Sequence, residues 1–319
     1  MKIVVLDSCP MDLGDLDWKP LEKLGELKVY EKSNSDQILE RLKDAEIVFT
    51  NKVHLDGNHF SKLPALRYIG VLATGFDIVD TAAAKDAGIV VTNIPAYGTQ
   101  AVAQHAFALL LEITNRVGAY SELVVKGDWE KSGQWSLVNH PMMELAGKTM
   151  GIIGLGRIGR QTAAIAQAFG MKVVACDPYP IPALESESLT FVELETLLKR
   201  SDVIVLHCPL TAENYHLINH QTIAQMKDGV IIINNSRGAL IEEHDLLRAL
   251  NSGKVRAVGL DVLGQEPPIE DNPLFHLEGS YFTPHNSWAA FESRARLMNQ
   301  AVRNLQAFLN GSPINVVNR

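Results

Sequence analysis

Cysteine is scarce and unpatterned in this sequence: Cys9, Cys176 and Cys208 are its only three, widely spaced and odd in number. That excludes a disulfide-stapled secreted scaffold and a cysteine-based metal centre, and a reduced, cytoplasmic compartment is the simplest expectation. No apolar run approaches the length that spans a bilayer. Met1–Leu6 lead straight into an apolar, β-like segment, so no secretory signal is expected. Lysine and arginine never form a block, and the formal net charge is −8. Nucleic acid and acidic membrane are therefore poor partners, although a local basic pocket for a small anion stays compatible with that balance. Internal repeats and low-complexity tracts are missing too.

What remains is an ordinary globular composition, 46% apolar and 21% charged. At 319 residues the chain exceeds what one hydrophobic core usually supports, so two domains are expected. Short Val/Ile-rich runs alternate with amphipathic stretches, the pattern of βαβ units and parallel sheets. A first set of strands is predicted at Lys2–Leu6, Ala45–Thr50, Tyr68–Leu72 and Ile89–Asn93, with helices at Ser35–Lys43 and Thr81–Ala87. After the breakers Pro95 and Gly98, Val102, Ala106, Leu109, Leu110 and Ile113 recur at helical spacing across Thr99–Asn115. A second set follows: Thr149–Gly154, Lys172–Cys176, Val203–Leu206, Val230–Asn234, Ala257–Asp261 and Tyr281–Thr283. The closing amphipathic stretch, Ser287–Leu309, has no sheet of its own and is expected to return to the first domain. Residues 1–98 with 287–319 then form the smaller domain, and residues 99–286 a larger one inserted into it.

Gly154-Leu155-Gly156-Arg157-Ile158-Gly159 is a G-x-G-x-x-G string. Alone it is no more than a glycine-rich turn. Here it follows the apolar run Met150–Ile153 and precedes the helix-like Gln161–Phe169, and Asp177 closes the next strand. Gly154 permits the tight turn, Gly156 the approach of backbone to a pyrophosphate, and Gly159 close helix–strand packing. The helix N-terminus supplies N–H groups to the anion. Asp177 can accept from the ribose hydroxyls and would repel a 2′-phosphate, so NAD is expected in preference to NADP. Arg157 can touch the pyrophosphate or simply be solvated.

A dehydrogenase built on such a site also needs a cation for a carboxylate and carbonyl, a proton donor, and a partner for that donor. Three candidates sit just after predicted strands, where α/β sheets place their ligand crevice. Arg237, in Asn234-Asn235-Ser236-Arg237-Gly238, offers a planar fork that suits a 2-oxo acid. Glu266, in Gln265-Glu266-Pro267-Pro268, and His285, in Thr283-Pro284-His285-Asn286, can form a carboxylate–imidazole pair. Such a pair orients the ring and favours imidazolium, an acid for reduction and a base for oxidation. Each of the three could equally be an ordinary loop or surface residue, and the sequence does not show that they meet.

Several ordered motifs together resemble one family, the D-isomer-specific 2-hydroxyacid dehydrogenases. They are Ala73-Thr74-Gly75-Phe76-Asp77, Gly154–Gly159, His207-Cys208-Pro209-Leu210-Thr211, Asn235-Ser236-Arg237-Gly238, Gly259-Leu260-Asp261-Val262, Gln265-Glu266-Pro267 and Pro284-His285, and they cover nearly the whole chain. The resemblance implies an α/β protein of two doubly wound parallel-sheet domains, Rossmann- and flavodoxin-like, with the cofactor domain inserted into the substrate domain. It implies NAD as cofactor, a small 2-oxo or 2-hydroxy acid as substrate, and no metal. Arg237, Glu266 and His285 become the catalytic trio. Backbone N–H groups near Leu72, Ala73, Thr74 and Gly75 would bind the substrate carboxylate, as an anion nest can. Asp261 would contact the nicotinamide carboxamide, and Cys208, Pro209, Asn214, Asn235 and Ser236 would line the cofactor, Cys208 as wall packing.

Within the family the likeness is greatest to the glycerate dehydrogenase, or hydroxypyruvate reductase, branch. It rests on Pro284-His285-Asn286-Ser287-Trp288-Ala289 running into Arg294-Ala295-Arg296-Leu297-Met298, on Gly127-Asp128-Trp129 with Gln134-Trp135, and on Thr50-Asn51-Lys52. Asn286-Ser287 departs from the Ile-Ala of that pattern, which loosens the substrate assignment. Trp288 can close the substrate pocket or pack in the core. Lys52 can add a charge near the substrate or be an exposed strand-end lysine. The Trp129–Trp135 arm is expected to pack against a second subunit, as in a homodimer. Rivals are phosphoglycerate dehydrogenase, which often carries a C-terminal regulatory domain; formate dehydrogenase, which carries Gln where this chain has Glu266; and an NAD-sensing corepressor.

Overall fold

The computed structural model describes residues 1–9, 11–268 and 270–319. The chain divides into two compact units, Met1–Gly98 with Ala289–Arg319, and Thr99–Trp288.

In the first unit five parallel strands run β1 (Lys2–Val5), β2 (Glu26–Val29), β3 (Ile47–Thr50), β4 (Tyr68–Val71) and β5 (Val90–Thr92), in the spatial order β2-β1-β3-β4-β5. Every residue of β3 and β4 is buried, as expected of central strands covered on both faces. Fully burying one Val, Leu or Ile contributes about 1.5–3 kcal/mol, so these two strands anchor the unit. Strand β2 was not legible beforehand, because it is a polar edge strand in which only Leu27 is even half-buried. The helix Phe291–Leu309 belongs to this unit: the Phe308 ring lies 4.9 Å from that of Tyr68, and Asn304 Nδ2 donates to the Asn93 carbonyl at 2.9 Å. Val316 then bridges to Thr92 at the edge of the sheet.

The second unit holds seven parallel strands: β6 (Thr149–Ile153), β7 (Lys172–Cys176), β8 (Leu189–Phe191), β9 (Val203–Leu206), β10 (Val230–Asn234), β11 (Val255–Leu260) and β12 (Ser280–Phe282). Their order is β12-β11-β10-β9-β6-β7-β8, a doubly wound sheet whose order reverses between β6 and β9. That switch point opens a crevice at the carboxyl ends of the strands. Strand β8, a short edge piece, had also escaped the sequence reading. The helix Thr99–Asn115 buries Val102, Ala106, Leu109, Leu110 and Ile113, the face that the helical spacing singles out. By contrast, the helices Val117–Val125 and Asp128–Ser132 bury none of their residues, and Trp135 after them is 96% exposed.

Two expectations need correcting at the junction. The last helix begins at Phe291, with Ala290 as its N-cap, and Ser287 and Trp288 fall in the second unit. Local bonds explain both. The Ser287 N–H is given to the Asp261 carboxylate at 3.0 Å, and the Trp288 indole N–H to the His285 carbonyl at 2.9 Å. Both residues are thus tied to the end of the larger sheet before the helix can start.

Candidate active site

Three neighbouring parallel strands, β10, β11 and β12, deliver the three reacting candidates at their carboxyl ends. Beyond β12, His285 takes a left-handed backbone, φ 51°, which costs a non-glycine residue about 1–3 kcal/mol and persists only where its surroundings enforce it. Its Nδ1 lies 2.6 Å from Glu266 Oε2. The other carboxylate oxygen, Oε1, accepts the Leu263 N–H at 3.1 Å, so Glu266 is oriented at both ends. With Nδ1 committed, Nε2 is the atom left to give or take a proton. The imidazole is 29% exposed, enough for a small substrate to reach it.

Arg237 follows β10 and is half-buried. Its guanidinium donates to the Ser236 carbonyl at 2.9 Å and, among the described residues, forms no ion pair with a carboxylate. A half-buried guanidinium without an anion is poised to take one. Gly238 next to it is indispensable for a reason no motif states. A methyl group there would run into the carbonyl of Leu263 and the N–H of Gly264. Only glycine lets the loop that carries Glu266 approach the one that carries Arg237.

On β6 the glycine string forms the expected strand–turn–helix. Gly154 has φ 94°, and a Cβ there would lie 2.6 Å from the Cys208 N–H nitrogen. At Gly159 a Cβ would strike the Gly154 carbonyl, so the helix Arg157–Ala168 packs onto the strand only with glycine at that place. Gly156 is different: a Cβ would meet nothing within 4 Å. It caps that helix without any side-chain bond, leaving open space in front of the first-turn N–H groups of Arg157, Ile158 and Gly159. Arg157 itself is exposed. Asp177, just past β7, accepts from the Leu155 N–H at 2.7 Å and the Tyr179 N–H at 2.9 Å. Half-buried, it keeps lone pairs for further donors. An open anion cradle followed by an acceptor-only carboxylate fits the pyrophosphate and adenosine ribose of a dinucleotide.

The wall beside this loop is self-supporting. Asn214 spans its own turn, accepting from the Thr211 N–H at 2.7 Å and donating to the Pro209 carbonyl at 2.8 Å. Ser236 Oγ donates to the Cys208 carbonyl at 2.6 Å, and Asn235 Nδ2 to the Val102 carbonyl at 2.8 Å. Burial pushes the Cys208 thiol up to about 11, so it stays protonated and unreactive at neutral pH. Burial likewise drives the His207 imidazole down to about 3. It remains neutral beneath the glycine turn, with Nε2 2.8 Å from Thr162 Oγ1.

In the first unit, the loop after β4 differs from expectation at one residue. The Leu72 N–H extends the sheet by donating to the Thr50 carbonyl at 2.8 Å, so it has no bond to offer a ligand. Among the described residues no acceptor meets the N–H groups of Ala73, Thr74 or Gly75, while the Thr74 hydroxyl ties the loop to the Ile94 carbonyl at 2.9 Å. Lys52 is exposed, and its backbone N–H is held by Asp7 at 2.5 Å. Burial raises the Asp7 carboxyl above the ordinary range despite hydrogen bonds from Asn51, Lys52, Thr50 and Val53 that act the other way.

A model of the D-isomer specific 2-hydroxyacid dehydrogenase NAD-binding domain matches residues 107–287. Over its full length the chain is 55% identical to a hydroxypyruvate reductase of Blautia hydrogenotrophica, all of which is covered. It belongs to the D-isomer specific 2-hydroxyacid dehydrogenases. A glycerate dehydrogenase of Methylorubrum extorquens is 42% identical, with 92% of each chain covered. Among solved structures, the D-lactate dehydrogenase of Aquifex aeolicus, complexed with NAD and lactic acid, superposes with a TM-score of 0.84 at 32% identity, covering 100% of this chain and 99% of that one.

This 2-hydroxyacid dehydrogenase is thus an oxidoreductase with the family's NAD-binding domain. The Asp261 side chain is buried, and its carboxylate accepts from Thr283 Oγ1 at 2.6 Å, the Asn286 N–H at 2.9 Å and the Ser287 N–H at 3.0 Å. Trp288, 9% exposed, is fixed to His285 by its indole nitrogen. Gly238 is the functional position that the sequence reading passed over, although it stood inside a quoted motif.

Proposed function

We propose that this dehydrogenase interconverts hydroxypyruvate and D-glycerate, or glyoxylate and glycolate, with NADH and NAD. The observation that carries the reading is the 2.6 Å Glu266–His285 pair, with Arg237, which has no carboxylate partner among the described residues, after the adjoining strand β10. The hydroxypyruvate reductase and glycerate dehydrogenase relatives favour the three-carbon acid. When bound, NADH supplies the hydride that C2 accepts. Arg237 holds the carboxylate and polarises the carbonyl through its planar fork. His285 donates its Nε2 proton to the developing alkoxide, while Glu266 keeps the Nδ1–H of the resulting ring in place. In the oxidative direction Nε2 takes the hydroxyl proton back. Within the first unit, the unpaired N–H groups of Ala73, Thr74 and Gly75 are suited to a carboxylate, and Lys52 and Trp288 are candidates for shaping selectivity.

A panel of hydroxypyruvate, glyoxylate, pyruvate and 3-phosphohydroxypyruvate, each with NADH and NADPH, tests this reading. The highest kcat/KM is expected with hydroxypyruvate or glyoxylate and NADH. Preference for the phosphorylated acid would transfer the protein to the phosphoglycerate branch. In Asp177→Ala the advantage of NADH over NADPH should narrow, through weaker NADH binding. An unchanged cofactor ratio would remove Asp177 from the ribose.

The exposed apolar residues Val117, Val125, Trp135 and Val138 on the 117–138 arm support a homodimer. Light scattering that returned the mass of a single chain would count against it. Among the described residues no helix is long and apolar enough to cross a membrane, and the three cysteines are free thiols. These features support a cytoplasmic setting, which activity recovered in a secreted fraction would contradict.

A further inference from the structure

We infer that Asn51, itself fixed by Asp7, is a positioning residue that aims the N–H groups of Ala73, Thr74 and Gly75 at the substrate carboxylate. The inference rests on the reading of that loop as the carboxylate's seat, and it adds two residues that act through the loop.

The loop leaves β4, whose neighbours in the sheet are β3 and β5. Its first three carbonyls are each held by a residue that follows one of those neighbours. Asn51, directly after β3, donates from Nδ2 to the Leu72 carbonyl at 3.0 Å. From beyond β5, the Ile94 N–H is given to the Ala73 carbonyl at 2.9 Å, and Asn93 Nδ2 to the Thr74 carbonyl at 2.7 Å. These peptides are trans, and a planar trans peptide points its carbonyl and its N–H in opposite directions. Holding Leu72, Ala73 and Thr74 by their carbonyls therefore turns the N–H groups of Ala73, Thr74 and Gly75 away from the groups that hold them. Among the described residues none of the three then meets an acceptor.

Asn51 sets the first of these peptides, and its own side chain has one possible orientation. The residue is 4% exposed, and among the described residues its buried Oδ1 receives no hydrogen bond. Turning the amide over would bring that oxygen against the Leu72 carbonyl, so the nitrogen faces the loop. An unpaired buried acceptor costs stability, which weighs against a purely structural reason for this side chain. The backbone of Asn51 is fixed from the other side. Asp7, just after β1, is buried, and its carboxylate accepts the Asn51 N–H at 2.8 Å and the Lys52 N–H at 2.5 Å. Strands β1, β3 and β4 are consecutive in the sheet, so Asp7, Asn51 and Leu72 make one relay across three strand ends.

Asn51→Leu keeps the approximate size of the side chain and removes the donor. Wild type and variant are compared for kcat and KM with the acid that wild type prefers, for the NADH dissociation constant by fluorescence, and for Tm. The amide NMR shifts of Ala73, Thr74 and Gly75 are followed as oxamate, a small carboxylate, is added to the NADH-loaded enzyme. A loop that grips the carboxylate equally before and during hydride transfer supplies uniform binding. Its misalignment should raise KM about tenfold and leave kcat within about threefold. The NADH constant should stay within about twofold, because the glycine turn and Asp177 share no hydrogen-bond partner with Asn51. The oxamate-induced shift should shrink, most of all at Ala73. Should Asn51→Leu fold poorly, Asp7→Asn loses one of the two acceptors that fix Asn51, and should raise KM about threefold with the same split. A fall in kcat or Tm with KM unchanged would reduce Asn51 to ordinary packing. A KM rise matched by weaker NADH binding would also overturn the inference. Oxamate shifts in Asn51→Leu as large as those of wild type would sink the positioning role alone, whereas unmoved amides at all three residues of wild type would sink the carboxylate reading of the loop itself.

Discussion

His285→Ala is expected to lower kcat about 10²–10⁴-fold while leaving the NADH dissociation constant unchanged, the range for a lost general acid. The separation follows from the fold. His285 stands beyond β12, and the glycine turn and Asp177 stand at β6 and β7, across the switch point. Removing the imidazole leaves Glu266 still bonded to Leu263, so the loop around it has a remaining anchor. Steady-state rates beside a fluorescence titration of NADH check the prediction. Turnover within a few-fold of wild type would strip His285 of its role. Equal loss in rate and in cofactor affinity would point to collapse of the turn.

Arg237→Lys should be nearly as damaging, with kcat/KM for the 2-oxo acid down about 10²–10³-fold, the effect of losing one preorganised donor to a developing oxyanion. Lysine keeps the charge, so long-range attraction of an anion survives. What it loses is the fork that bonds two oxygens at once. The loss should appear in both kcat and KM if, as proposed, the guanidinium holds the carboxylate in the ground state and the carbonyl oxygen as charge builds on it. A variant affected in KM alone would confine Arg237 to holding the carboxylate. Added guanidinium ion restoring part of the rate to an Arg237→Ala enzyme would support the same assignment by an independent route.

Much of this was readable in the amino-acid order, for definite reasons. Central strands such as β3, β4 and β10 are buried on both faces and therefore spelled in near-continuous apolar residues. The glycine string has a local geometry that its own residues dictate. Edge strands were lost because they are short: Glu26–Val29 and Leu189–Phe191 alternate apolar with polar residues over only four and three positions. The candidate trio was nameable from ordered motifs, yet its convergence was not, since Glu266 and His285 lie 19 residues apart and meet only because β11 and β12 are neighbours. The donors that Thr283, Asn286 and Ser287 give to the Asp261 carboxylate were hidden for the same kind of reason. Leu72 was misplaced by one residue, the place where the sheet stops taking N–H groups and the loop begins to offer them. Gly238 could have been flagged, because a glycine beside a charged candidate often marks a close backbone approach, but its neighbour Leu263 is visible only in three dimensions.

The order of strands in the larger sheet has a practical consequence. On the proposed reading, the glycine turn and Asp177 hang from one half of the sheet, at β6 and β7, and Arg237, Glu266 and His285 from the other, at β10 to β12. Among the described residues the two sets share no hydrogen-bond partner, so the energetic effects of substitutions in them should combine nearly independently. On that reading, coenzyme preference and acid preference should be separable by substitutions made in one half at a time.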